Sequence, residues 1–434
     1  VGQLLALVLL TAAGGTNPDT PAPDSAAACL ARGDAKMAKG DPDGAIADYS
    51  KAIELKPDYA EPYAARGFAK KARGDLDGAI ADDTKAIQLK PDLVDAYFNR
   101  GVAKQANGDL DGAIADFTKT LQIKPDSAAP YFNRALAREA KGDLDGAIAD
   151  CSKAIQLKPD SAAPYFNRAL AREAKGDLDG AIADCSKAIQ LKPDFAEAYC
   201  ERGDAKTAKR DLDGAVADYT KAIELKKDFA EAYAARGGAK QAKGDLDSAI
   251  ADDTKAIELK PDFEEAYRDR GHAKQAKGDL DGAIADCTKA IQLEPDWGAY
   301  AIRGLAKRAK GDLDSAIADY TKAIQLKPDF AEAYASRGDA KQAKGDLDSA
   351  IADYTTAIQL KPDFAEAYAG RGSAKQAKDD LDSAIADYTK AIQLKPDFAQ
   401  AFAARSLAKQ AKGDLDGANA DHAKALQLKP GISP

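Results

Sequence analysis

A proline in a recurring Lys-Pro-Asp-like motif returns every 34 residues along this chain. It stands at Pro57, Pro91, Pro125, Pro159 and Pro193, and again at Pro261, Pro295, Pro328, Pro362, Pro396 and Pro430. One step is doubled because Lys227 replaces the proline, and one is 33 residues, short by one around Asp296–Trp297. A fixed period of this size means a stack of like units rather than a globular core, so 434 residues do not translate into two or three ordinary domains. Residues 126–159 and 160–193 are identical. A block that can stand beside its own copy must carry two faces that fit each other.

Each unit reads as a helical hairpin. In residues 60–91, the alanine-rich stretch Ala60 to Arg73 has high helix propensity and Gly74 supplies a C-cap. Asp77 is placed to N-cap a second helix running from Gly78 to Leu89, with Ala79, Ile80, Ala86, Ile87 and Leu89 as its apolar stripe. Lys90 favours the end of that helix and Pro91 stops it. One hairpin cannot bury its apolar surface alone, so it must lean on its neighbours.

These residues resemble the tetratricopeptide repeat (TPR) over residues 26–430. The first aromatic position is Tyr in ten repeats, from Tyr63 to Tyr368, with Cys29 and Phe402 at the ends. The small residue that lets the two helices approach is Gly67, Gly101, Gly203 and Gly237, or Ala135 and Ala169 in the twin repeats. The resemblance implies an all-α, right-handed superhelical solenoid of twelve helix-turn-helix repeats. It also implies a non-enzymatic protein-interaction scaffold.

The chain departs from the family pattern in its charges. Where the family has Leu before the small residue, every repeat has Arg, from Arg32, Arg66 and Arg100 to Arg405. The second helix carries Asp at one fixed site in all twelve, including Asp82, Asp116, Asp150 and Asp421. Charges in register at every repeat predict ladders of charge-assisted hydrogen bonds between packed helices. The alternative is a charged stripe for a ligand.

No catalytic, cofactor or metal site is predicted. His272 and His422 are four repeats apart and cannot share a metal or a triad. The repeated Asp-x-Asp, as in Asp75–Asp77, lacks the remaining ligands of a calcium loop and reads as turn and cap chemistry. A net charge of −9 with interspersed signs argues against nucleic acid as a partner. No run of apolar residues is long enough to span a bilayer. Cys151, Cys185 and Cys287 share one core position; only Cys185 and Cys200, across a junction, merit a check for a disulfide.

Three features point to surfaces. Repeats 3 to 5 place Phe98 and Asn99, Phe132 and Asn133, and Phe166 and Asn167 where the family faces its concave groove. The resemblance implies that an extended peptide of another protein can lie there. Hydroxyls recur along the second helix at Ser50, Thr84, Thr118, Ser152, Ser186, Thr220, Thr254, Thr288, Thr321, Thr355 and Thr389. They are candidate O-glycosylation sites if the protein is exported, against the plainer reading of ordinary polar helix residues. Residues 1–15 are apolar, with Leu4, Leu5, Leu7, Val8, Leu9 and Leu10, and read as a signal-like or inter-subunit docking segment. Residues 16–25 form a Pro-rich linker and 431–434 a short tail. The last repeat carries Asn419 in place of Ile and His422 in place of an aromatic residue. The first expectation is therefore head-to-tail self-assembly into an extracellular or cell-surface filament, with periplasm or cytoplasm as the other settings. The second is a monomeric adaptor for partner peptides.

Overall fold

A computed structural model describes residues 25–431, so residues 1–15 and nearly all of the 16–25 linker lie outside the described residues. Among the described residues there are helices and no strand. The chain divides into two compact units, Val1–Ala205 and Lys206–Pro434. The first holds α1 (Ala26–Ala38), α2 (Pro42–Leu55), α3 (Ala60–Ala72), α4 (Leu76–Leu89), α5 (Val94–Ala106) and α6 (Leu110–Ile123). It continues with α7 (Ala128–Ala140), α8 (Leu144–Leu157), α9 (Ala162–Ala174) and α10 (Leu178–Leu191), and α11 (Ala196–Ala208) spans the boundary. The second holds α12 (Leu212–Leu225), α13 (Ala230–Ala242), α14 (Leu246–Leu259), α15 (Glu264–Lys277), α16 (Leu280–Leu293) and α17 (Trp297–Ala309). Then come α18 (Leu313–Leu326), α19 (Ala331–Ala343), α20 (Leu347–Leu360), α21 (Ala365–Ala377), α22 (Leu381–Leu394), α23 (Ala399–Ala411) and α24 (Leu415–Leu428). Within each unit successive helices pack as hairpins, and each hairpin packs on the next, which is an all-α solenoid architecture.

The caps differ from the sequence expectation by two residues. Asp75, not Asp77, caps α4: its carboxylate accepts from the Gly78 N–H at 2.9 Å, and the helix begins at Leu76. Asp77 lies in the first turn and accepts from Asn107 of the following repeat. The same two-part use of Asp-x-Asp recurs. Asp312 caps α18, while Asp314 pairs with Lys344 of the next hairpin. The glycine after each first helix takes a positive φ, as at Gly74 (84°), which a side chain would resist. Arg210 and Asp379 occupy that conformation without being glycine.

The expected Arg–Asp ladder is present, and it ties three helices rather than two. Arg337 of α19 grips Asp353 of α20 with two hydrogen bonds, Nε to Oδ2 at 2.9 Å and Nη2 to Oδ1 at 2.7 Å. Its remaining Nη1 donates to Thr321 Oγ1 of α18, in the preceding repeat, at 3.0 Å. The guanidinium also lies over the Tyr334 ring, 5.5 Å from its centroid. Lys341 adds a second cation to Asp353 at 2.7 Å, and Asp353 is only 5% exposed. Each group thus meets a partner in kind, which a buried charge requires. Arg66, Arg100, Arg134 and Arg168 repeat the arrangement in the first unit, and Arg236, Arg270, Arg303, Arg371 and Arg405 in the second.

Beneath the ladder, alanine lines the helix contacts and one larger residue per repeat fills the hairpin. Tyr49, Phe117, Tyr320, Tyr354 and Tyr388 hold that place, fully buried. The ring takes the space a side chain would need at the small position: a Cβ on Gly304 would stand 2.8 Å from the Tyr320 ring. In the twin repeats Cys151 and Cys185 replace the ring, and Ala135 and Ala169 replace the glycine, which restores volume. Two repeats break the rule. Asp83 and Asp253 occupy the aromatic place, both 0% exposed, and neither carboxyl oxygen of either has a hydrogen-bond partner. Burial pushes the Asp83 carboxyl up to about 8, with Asp82 adding to the rise and Lys71 opposing it.

Two predictions follow from this packing. Replacing Asp353 by Asn leaves Arg337 and Lys341 without their shared charge and should destabilise the local repeats by about 3 kcal/mol. Trp297, the single tryptophan, packs edge-on against Phe330 beside α19, so its fluorescence during urea denaturation reads the loss. Replacing Asp83 by Phe should stabilise repeat 2 by about 2 kcal/mol, because it trades an unpartnered carboxyl for a ring like that of Phe117. The gain has a defined pH dependence. The folded-state value of Asp83 is raised, so its contribution is fully present below the unfolded value near about 4 and is lost as pH rises through about 8. The advantage of the Phe variant should therefore widen from acid to pH 8, as measured by hydrogen exchange of α3 and α4.

Candidate functional site

The aromatic and amide pairs of repeats 3 to 5 lie on α5, α7 and α9, first helices that touch one another in succession. All six side chains are half-buried. Phe98 packs on Phe117 with ring centroids 5.9 Å apart, and Phe166 packs on Phe195 at 4.8 Å. Asn133 and Asn167 donate to carbonyls of their own helices, Ala129 and Ala163, each at 2.9 Å. Their amide oxygens keep acceptor capacity. The strip is thus an apolar shelf with anchored amides.

Four residues beyond each Phe, one turn along the same helix face, stand Val102, Leu136 and Leu170. Three residues further come Gln105, Glu139 and Glu173. Glu201 of α11 adjoins Glu173, and it is 9% exposed with Oε1 lacking a hydrogen-bond partner. Burial, then the neighbouring Glu173, hold the Glu201 carboxyl well above the usual carboxylate range. Burial also raises Glu139. This acidic edge has no counterpart in the sequence reading. Aligning the repeats would have shown it, since the place of Glu139 and Glu173 holds Gln in most other repeats.

The eleven regular hydroxyls prove to be ladder members. Thr321 Oγ1 donates to the Ile317 carbonyl at 2.7 Å while accepting from Arg337. Ser152 and Ser186 do the same with Ile148 and Ile182, accepting from Arg168 and Arg202. A sugar on such an oxygen would take the place of its proton and displace the arginine, so the ladder geometry favours the plainer reading of these hydroxyls as structural polar residues.

The remaining candidates are dispersed. Asn419 is exposed on α24, whereas His422 turns inward with Nδ1 buried and unpartnered. Leu4 to Leu10 lie outside the described residues. His272 is exposed and bonds Gln241 at 2.8 Å. Cys29, Cys151, Cys185, Cys200 and Cys287 are all buried free thiols, so Cys185 and Cys200 are not bridged. Burial pushes the Cys151 and Cys287 thiols up to about 12, the opposite of nucleophile activation. Among the described residues no cluster of His, Cys, Asp or Glu is placed to hold a metal, and no helix is long and apolar enough to cross a membrane.

One cavity of about 480 Å³ opens where the repeat spacing shortens to 33 residues, lined by Lys260, Phe263, Glu264, Arg268, Glu294 and Asp296. Arg268 stands where other repeats have Ala, Phe, Leu or Cys, and lies 3.6 Å from Glu264 and 3.8 Å from Asp296. Burial pushes the Glu264 carboxyl up to about 7 against the pull of Arg268. The cavity is wide and polar, and its charges largely satisfy one another.

Known proteins place this geometry. Profiles described as TPR repeat match residues 33–72, 69–108, 139–176, 172–209, 203–244, 304–345 and 338–379. Profiles described as tetratricopeptide repeat match residues 94–127, 230–263, 264–296 and 365–398. No curated protein matches the sequence. Among solved structures, the APC/C hetero-tetramer Cut9–Hcn1 is similar over 94% of both chains, at 15% identity and a TM-score of 0.52. A tetratricopeptide repeat protein from Parabacteroides merdae is 20% identical over 56% of this chain and 97% of its own, with a TM-score of 0.47. MamA is 30% identical over 37% of this chain and 94% of its own, with a TM-score of 0.36. The profile matches and the paired helices agree: the chain belongs to the tetratricopeptide repeat family.

Proposed function

We propose that this chain is a non-enzymatic scaffold whose repeats stack on further copies of itself, head to tail, as a structural filament. The observation that supports this is the pair of identical repeats. Residues 126–159 and 160–193 have the same sequence, and α7 and α8 sit directly against α9 in the fold. A face of this repeat therefore fits the opposite face of an identical repeat. The α24 surface offers the same kind of contact. Leu415 is 59% exposed, whereas its equivalents Leu313 and Leu347 pack into the core shared with the following hairpin. Asp416, in the place of Asp314, is also exposed and available to a lysine. Asn419 and Ala423 replace the usual Ile and hydroxyl there, so a joint would use the leucine and acid edges more than the arginine ladder. Apolar residues 1–15 supply a docking segment in this reading, and its setting is extracellular or the cell surface.

A second reading, an adaptor for extended peptides, is supported by the half-buried shelf of Phe98, Phe132 and Phe166. The two readings separate in one experiment. Negative-stain electron microscopy and sedimentation of the purified chain should show fibres, and Leu415→Glu or removal of residues 1–15 should shift the material to monomers. A monodisperse wild-type monomer at high concentration would refute the filament and leave the adaptor.

A further inference from the structure

In several other repeats the residue that Glu139 and Glu173 replace is tied internally. Gln241 bonds His272 of the next first helix at 2.8 Å, Gln342 donates to Ser373 at 2.9 Å, and Arg308 pairs with Asp339. These links span 31 residues. The same register sets Glu139 opposite Leu170, which has no polar side-chain group, while Glu173 adjoins the Glu201 carboxyl and shares a hydrogen bond with it. A second donor is also missing. Tyr354 and Tyr388 donate their hydroxyls to Gln342 and Gln376 of their own repeats at 3.0 and 2.8 Å. In the twin repeats Cys151 and Cys185 stand in the place of those tyrosines, with thiols kept neutral by burial. Among the described residues no Lys or Arg pairs with Glu139, Glu173 or Glu201 in this structure. Behind them the nine-tenths-buried Glu201 keeps Oε1 without a partner. The carboxylates belong to successive repeats and are not arranged as a metal cluster. Their near neighbours along the helices are the apolar Phe132, Leu136, Phe166 and Leu170.

We propose that Glu139 and Glu173, backed by Glu201, seat the guanidinium or ammonium group of an extended partner segment whose apolar side chains rest on Phe132 and Phe166. The occupant is a peptide that alternates basic and hydrophobic residues. A cation supplies the donor that Glu139 lacks and takes the place of the Glu201 proton at Glu173, and charge-assisted bonds to carboxylates are the strong kind. This inference rests on the peptide-shelf reading and adds its charge specificity. It is independent of filament formation.

The site carries its own pH signature. Glu201 faces Glu139 of α7, Glu173 of α9, Asp204 of its own helix and Cys185 of α10. Its carboxyl holds a proton at neutral pH because of burial and of Glu173. A seated cation favours the ionised form, so binding at neutral pH releases a proton and tightens as pH rises toward about 9.

The test uses the full chain and two synthetic decapeptides, one alternating Leu with Arg and the other Leu with citrulline, the neutral isostere. Affinity is read by fluorescence anisotropy, and proton release by calorimetry in buffers of different ionisation enthalpy. The arginine peptide should bind at least about tenfold more tightly. The double variant E139Q/E173Q should bring it to the citrulline level, and E201Q should abolish the proton release. The pair E332Q/E366Q, whose glutamates face Lys361 and Lys395 in the other unit, should change neither and controls for general acidity. Equal affinity for the two peptides, or an unchanged affinity in E139Q/E173Q, would overturn the cation seat. If F132A/F166A weakens both peptides while the carboxylate variants do nothing, the shelf stands and the cation seat falls. If neither peptide binds the wild-type chain, both readings fall together.

Discussion

A single guanidinium per repeat fixes the geometry of this protein. It spans a hairpin by gripping an aspartate on the second helix, and it reaches back to a hydroxyl on the previous repeat. Helix propensity and alanine faces explain why hairpins form, but alanine packs in many ways. A planar group with donors aimed at two helices permits one register. The surface lysine–aspartate links, such as Lys175 with Asp145, repeat the same spacing on the outside, where exposed charges contribute less.

That division of labour explains where the chain tolerates change. The place beneath the ladder accepts Tyr, Phe, Cys, His and even Asp, because the arginine holds the hairpin whatever fills it. The places beyond the ladder, on the half-buried face of each first helix, vary more freely and carry the chemistry that differs between repeats. There repeats 3 to 5 are apolar and repeats 4 to 6 acidic, while later repeats use Gln and small residues that bond among themselves. The missing residue before α17 opens a cavity without breaking the ladder, since Arg303 still reaches Thr288.

The period, the hairpin and the family were legible from proline spacing and from the small and aromatic columns, because these are one-dimensional signals of a nearest-neighbour fold. The Arg–Asp pairing was legible for the same reason. What was not legible was three-dimensional. Asp75 and Asp77 are both plausible caps on paper, and only the position of the following hairpin gives Asp77 a different partner. The hydroxyl column looks like exposed decoration until the arginine of the next repeat is seen to close on it. Asp83 is unremarkable in a chain rich in aspartate until its place is recognised as the buried aromatic one. Glu139 and Glu173 stand out from Gln when the repeats are aligned, but the bonds that their counterparts make are seen only in the fold.

If the arginine ladder couples neighbouring repeats, its energy must depend on both partners across the junction. A double-mutant cycle with Arg337→Ala and Thr321→Ala, read by urea denaturation through Trp297 fluorescence, isolates that coupling from the bond within the hairpin. The ladder account predicts a coupling energy of about 1 kcal/mol or more between the two sites. Losses that simply add, with no coupling, would show that the hairpins lean together through alanine packing alone.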